Sequence, residues 1–308
     1  MGFRFREFTL KNMHFSFVDK KSKQEYRAQI KKLTCSGAFT EKNYTIKAKA
    51  IFFSEVVSIN DEDFVGNKNF LINTTLEINA KNESCSIKTA AIDLEDMKVQ
   101  LSGVIKYDST AFVDLAIKGE NMNIQSFLSL LPSSYKSFEK KYKSNGDFFL
   151  NGTVKGSLAG ESMPRMVLNF GIEKGKIKFV EEGMEMKDIY FQGNFNSGTE
   201  DSPESAEINI SQFQGNLDHS SFSGNFYLKD FGKPYLKFNI DADVDLVEVF
   251  KFIPVEKIET ISGRVKAKLA FYMYVNRLRR DAVGNHFKLA LARFYVVRHV
   301  KVGMYFAI

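Results

Sequence analysis

Asp218, His219 and Ser220 stand side by side in the stretch LDHSS, and these are the side-chain types from which an acyl-transfer site is built. Such a site needs the nucleophile, its base and the orienting carboxylate to converge from separate parts of a fold. Three neighbours in one turn or strand do not converge, so the stretch reads as a polar surface turn. Asp241, Asp243 and Asp245 of DADVD have the alternation that opens a calcium loop. The glycine and glutamate that such a loop needs at its sixth and twelfth positions are here Leu246 and Phe252. Gly152, Gly156 and Gly160 have small-xxx-small spacing, which means helix packing only in an apolar span, and Lys155 interrupts this one. Glycosylation sequons begin at Asn43, Asn73, Asn82, Asn151 and Asn209, and they matter only on a eukaryotic secretory route. No GxGxxG, P-loop, GxSxG or HExxH occurs. The expectation is a non-enzymatic chain with no catalytic, cofactor-binding or metal-ligating residues.

Bulk properties narrow the class further. The net charge is +6, yet residues 272–308 hold seven Lys/Arg against the single acid Asp281, which leaves 36 basic and 36 acidic residues in the rest. A balanced body has no electrostatic footprint for nucleic acid, so no nucleic-acid partner is expected. Cys35 and Cys85 are too few for a disulfide scaffold or a four-cysteine zinc site; they are either one disulfide or two isolated thiols, and the second is preferred. No run of 18 apolar residues is present, and MGFRFREF lacks the apolar core of a signal peptide. The chain alone thus carries neither a signal peptide nor a membrane helix, and it opens in strand-like sequence as an internal fragment would.

The elements that position these residues are strands. Leu236, Phe238, Ile240, Ala242 and Val244 alternate with Lys237, Asn239, Asp241 and Asp243, which on a strand puts every apolar group on one face. The same alternation runs through Tyr44–Phe52, Val113–Ile117, Phe148–Val154, Ile189–Phe195 and Phe222–Leu228, with polar turns at 81–84, 196–205 and 230–234. Thirty Phe and no Trp suit strands with one greasy face. Two places switch to helical spacing. NIQSFLSLLP at 123–132 carries Ile124, Phe127, Leu128 and Leu131, followed by a second helix capped at Ser133 or Ser134, carrying Tyr135, Phe138 and Tyr142 and ended by Asn145-Gly146. The other place is DLVEVFKFIP at 245–254. These segments align without gaps, and each has an alternating strand before it and a glycine-centred strand after it. The chain therefore contains an internal repeat, about 113–154 and 236–265, of the kind that extends a sheet by adding units.

Seven glycines fall in the pattern apolar-x-Gly-x-apolar: Gly37, Gly103, Gly152, Gly193, Gly215, Gly224 and Gly263. Each has the parity of its apolar neighbours. A glycine inside a strand weakens it, so seven on one face point to a shared role, either sheet curvature or an ordinary bulge at each. The fold expectation is mainly β: a long, curled, antiparallel sheet forming a groove, with two short helical inserts. The expected groove-lining residues are Leu150, Val154, Ile189, Phe191, Phe195, Phe222, Phe226, Leu228, Leu236, Phe238, Ile240 and Val244.

On NIQSFLSLLP, DLVEVFKFIP, GDFFLNGTVKGSLAG and LKFNIDADVDL, the chain resembles the AsmA family, which includes TamB- and YhdP-like members, and in texture its Bacteroidetes-type members. The resemblance covers roughly residues 1–270. It implies a periplasmic, inner-membrane-anchored protein whose apolar β-groove carries phospholipid acyl chains toward the outer membrane. It further implies a membrane anchor in a segment absent from this chain, envelope-assembly partners and no catalytic residues. The corresponding domain reading is an AsmA-like groove domain over 1–271 and an atypical basic tail over 272–308. For the tail, a frameshift or truncation is the leading reading, beside a membrane-surface segment and an ordinary exposed element. A cell-surface β-sandwich that binds protein or glycan is the alternative function.

Overall fold

A computed structural model describes residues 3–20, 23–59, 62–63, 66–95, 97–109, 111–128, 142–158, 164–180, 183–198, 203–231, 233–252, 260–274 and 300–303. The strands hydrogen-bond in chain order as one open antiparallel sheet, not as the two sheets of a sandwich. This is the fold class that the alternation predicts. The chain divides into two compact units, one of residues 1–140 and 147–168, the other of 141–146 and 169–308.

In the first unit, β1 (Phe3–Asp19), β2 (Gln24–Phe39), β3 (Asn43–Ile59), β5 (Lys68–Asn79), β6 (Ser84–Leu94), β7 (Met97–Lys106), β8 (Phe112–Asn123) and, from Asp147 on, β9 (Tyr142–Ser157) pair each with the next, and the two-residue β4 (Glu62–Asp63) pairs with β3. Register converts the alternation into rows. Phe5, Gly37, Ile46, Leu76, Ile87, Gly103, Leu115 and Val154 stand opposite one another across eight strands. The next row toward the other end holds Cys35, Ala48, Thr74, Ala90, Leu101, Ile117 and Gly152. Because side chains repeat every second residue, both rows share a face. Helix α1 (Ile124–Leu128) follows β8, and Asn123 caps it by accepting the Gln125 N–H at 2.8 Å. Met97, Met122, Ile124 and Phe148 are the best-buried apolar residues of this unit, at 1–3% exposure.

Strand β10 (Arg165–Phe179) begins in the first unit and ends in the second. The second unit continues with β11 (Met184–Asn196), a single 3-10 turn at Pro203–Ser205, β12 (Glu207–Asn216), β13 (Ser221–Lys229), β14 (Tyr235–Asp245), helix α2 (Leu246–Phe252), β15 (Thr260–Tyr274) and β16 (Val300–Gly303). Asp245 caps α2 as Asn123 caps α1, accepting the Val247 N–H at 2.8 Å. The two caps are the residues that the internal repeat aligns, so the match reflects a shared device: an Asx residue that stops a strand and starts a helical turn.

One detail departs from the sequence expectation. The second helix of the first insert, expected to carry Tyr142 and end at Asn145-Gly146, does not extend that far: Tyr142 opens β9, and Asn145 and Gly146 are strand residues. Pairing with β8 wins over local turn chemistry there, as Asn123 stands opposite Asp147 in that ladder. Residues 129–141, like Pro254, lie outside the described residues. Strand β15 runs through Tyr274, and Val300–Gly303 pair as β16 with Thr260–Gly263.

Candidate functional site: the apolar face

Of the expected lining residues, Leu150 and Val154 sit in the first unit and the other ten in the second. In the second unit, register gathers them. Phe195, Ile208, Leu228, Leu236 and Met273 form one row; Gly193, Ile210, Phe226, Phe238 and Phe271 the next; Phe191, Phe213, Gly224, Ile240 and Leu269 a third. Gly215, Phe222, Ala242 and Ala267 follow, and Val244 pairs with Val265. Ring contacts knit the rows: Phe213 stacks on Phe238 at 5.6 Å between centroids, and Phe238 meets Phe271 at 6.0 Å and Phe226 at 6.5 Å. Ile189 is buried, and the other eleven lining residues are half-buried. Sequence parity misses Ile208, Ile210 and Phe213, whose strand carries an extra residue between Ile210 and Phe213 and so breaks the alternation.

The glycines occupy this face for a steric reason that differs by position. A Cβ on Gly215 would meet the Phe222 ring first, its Cζ at 2.7 Å. A Cβ on Gly224 would collide with the Asn239 carbonyl oxygen and sit 2.6 Å from Cζ of Phe213. At Gly103 and Gly152 the colliding oxygens belong to Asp114 and Val167; at Gly37 the Thr45 oxygen lies at 2.8 Å and the Phe5 ring at 3.0 Å. Gly193 faces the Asn209 oxygen at 3.0 Å and the Phe170 ring at 3.2 Å. At these places a neighbouring carbonyl or ring takes the volume a side chain would fill. Gly37, Gly103, Gly193 and Gly224 also pair with a strand next to a register shift. Close backbone approach and bulges thus occur together, not as alternatives. Gly263 at φ 120° and Gly103 at φ 136° have backbone angles that side-chain-bearing residues rarely adopt.

The first unit carries an apolar groove of its own on this sheet. A groove of about 520 Å³ is lined by Phe15, Tyr26, Ala28, Ile30, Phe52 and Phe70 among others, with Phe52 stacked on Phe70 at 4.7 Å. On the edge strand β1, Phe8, Phe15 and Phe17 remain 46–52% exposed. None of these residues is in the expected lining set. The β1 pattern FxFxxFxLxxMxFxF carries the signal, but it breaks twice, at the register shift between Phe5 and Phe8 and again at Asn12, whose φ is 53°. Cys35 and Cys85 are free thiols in apolar rows, and partial burial raises both above the ordinary thiol range.

The polar stretches resolve into structural roles. The turn Leu217–Ser220 closes with the Leu217 N–H on the Ser220 carbonyl at 2.8 Å. Glu248 of α2 accepts the His219 N–H at 2.8 Å and the Ser220 hydroxyl, and Ser220 Oγ accepts the Asp245 N–H at 2.9 Å. His219 enters through its backbone, and Ser220 clamps the turn to the helix cap. Asp241 pairs with Lys268 at 2.9 Å, and Asp243 with Lys266 at 3.2 Å and with Arg264, all across the β14–β15 ladder. The Arg264 hydrogen bond holds Asp243 below the usual carboxylate range. Among the described residues, no group of three His, Cys, Asp or Glu is placed to hold a metal ion, and no helix is long and apolar enough to cross a membrane.

No protein-family model, curated protein or solved structure matches the chain.

Proposed function

We propose that this chain is a non-enzymatic cell-envelope protein that carries phospholipid acyl chains along the apolar face of its sheet, in the periplasm, between inner and outer membrane. The observation that carries the reading is the registered set of apolar rows, half-buried instead of sealed, together with the apolar groove of about 520 Å³ in the first unit. That volume lies in the range of small-molecule sites. Each methylene removed from water contributes about 0.8 kcal/mol, so half of a common acyl chain, roughly seven methylenes, gains about 5–6 kcal/mol before ordering costs. Such a gain holds a chain while letting it leave, as a conduit requires. The resemblance to AsmA-type sequences supports the same reading, and it supplies the membrane-anchored context and the envelope-assembly partners.

Native mass spectrometry of the chain expressed in the periplasm, together with displacement of a fluorescent fatty acid by phospholipid, tests the proposal. Co-purifying phospholipid is expected, as is probe binding that Phe15→Ser/Phe52→Ser reduces at least about five-fold. Absence of both in a folded protein overturns it.

A further inference from the structure

The water-facing side of β1–β3 has a charge arrangement that sheet stability alone does not favour. Lys11 of β1 stands directly opposite Lys32 of β2. Like charges directly opposite destabilise an antiparallel pair. Lys49 stands opposite Thr34, and Lys47 opposite Ser36, so all four ammonium groups share the face. All four are exposed, and none has a carboxylate within ion-pair distance among the described residues. Glu77 pairs with Lys88 at 3.1 Å and Glu25 with Arg27. Glu7 accepts the Thr9 hydroxyl at 3.3 Å and lines the same surface depression as Arg6, Lys47 and Lys49, so that cluster keeps a net positive charge. Asp93 stands opposite Lys98. The second unit shows the opposite habit on β14, where Asp241 and Asp243 each face a cation on β15.

Apolar side chains interleave with these cations. The row of Lys11 and Lys32 continues into Ile51 and Leu71, and the Lys31 ammonium lies 6.0 Å above the Phe53 ring. An acidic polypeptide is matched by cations alone. Cations interleaved with half-exposed Ile, Leu and Phe match an anionic lipid surface, where lysines meet phosphates and apolar groups enter the headgroup boundary. We propose that this face of the first unit docks on an anionic phospholipid membrane through Lys11, Lys32, Lys47 and Lys49. The acyl-carrying face is the opposite one, so this inference does not rest on that reading.

Co-sedimentation of the full chain with vesicles tests it, using phosphatidylcholine alone and an equimolar mixture with phosphatidylglycerol. Binding to the anionic vesicles should exceed binding to the neutral ones by about ten-fold or more and fall with added salt. Replacing Lys11, Lys32, Lys47 and Lys49 together by Gln should abolish that preference. The same change of net charge at Lys176, Lys229, Lys233 and Lys251 should leave it. The first variant should melt no lower than the parent, because it relieves a like-charge pair. Phe15→Ser/Phe52→Ser should keep the charge preference while losing fatty-acid binding, which separates failure of this proposal from failure of the acyl-carrying one. Equal binding to both vesicle types, an unchanged preference in the first variant, or binding of poly-glutamate in place of vesicles overturns the proposal.

Discussion

The Phe213 ring on β12 lies over Gly224 on β13, directly across the ladder, so close that a Cβ at 224 would come within 2.6 Å of Cζ. Two residues along, the relation is reversed, with the Phe222 ring of β13 over Gly215 of β12. The two seats differ in what else they touch. The nearest atoms to a methyl at 215 all belong to a ring that can turn aside, whereas Gly224→Ala also meets the Asn239 carbonyl oxygen. Both should destabilise by about 1–3 kcal/mol, as overpacking does. Adding Phe222→Leu should recover most of the loss at 215, while Phe213→Leu should recover little of it at 224. Denaturant unfolding of the two double-mutant cycles measures this, and equal recovery in both would show that the backbone contact at Gly224 carries no cost.

Ser220→Ala should cost about 1–3 kcal/mol, because it removes the hydroxyl that accepts from the Asp245 N–H and donates to the buried Glu248 carboxylate. Amide exchange at Asp245 and in α2 should quicken with it, while β2 and β3 stay unchanged. A variant that unfolds at the parental denaturant concentration with parental exchange would refute the clamp.

Asp243 supplies a pH signature. Its carboxyl is held below the usual range, first by the Arg264 hydrogen bond and then by that of Lys266, together outweighing desolvation. A depressed folded value means that the stabilisation is complete above the unfolded value of about 3.9 and disappears as pH falls through the lower folded value. Asp243→Asn should therefore lower the unfolding midpoint at neutral pH by a small, salt-sensitive amount and converge with the parent in acid. A gap that persists unchanged into strong acid would assign the effect to packing.

Cys35 and Cys85 report on the apolar face without any substitution. Burial raises both thiols, so their reaction with a neutral alkylating reagent should climb to higher pH than that of a free cysteine. A bound acyl chain should slow both reactions at fixed pH. Parallel rates with and without fatty acid at saturating probe would place the ligand elsewhere.

The period of the apolar residues is enough to foresee an antiparallel, one-faced sheet, and the aligned Asn123 and Asp245 mark where helical turns interrupt it. The alternation places the aspartates of DADVD on the polar side of β14, and LDHSS is legible as a turn, but the burial of Ser220 against Glu248 is not, since it depends on a helix residue 28 positions further on. What sequence parity hides is anything beyond a register shift. One extra residue in β12 moves Phe213 onto the row of Phe191 and Gly224. In β1, the shift after Phe5 brings Phe8 onto the apolar face, and the left-handed Asn12 does the same for Phe15 and Phe17. The uncompensated lysines escape notice for a related reason, since Lys11 and Lys32 become opposed only through a hairpin register that composition does not reveal. The seven glycines are recognisable as a group, but whether each yields to a ring or to a carbonyl depends on the strand beside it.

Leaving aside the two-residue β4, which pairs with β3, the described strands bond in chain order with no crossover in the ladder. A fold threaded in that way can gain or lose a hairpin at any turn without re-routing what lies on either side. The capped helical turns after Asn123 and Asp245 sit between neighbouring strands without disturbing that order, so such a knuckle is an insertion that the sheet accommodates in place.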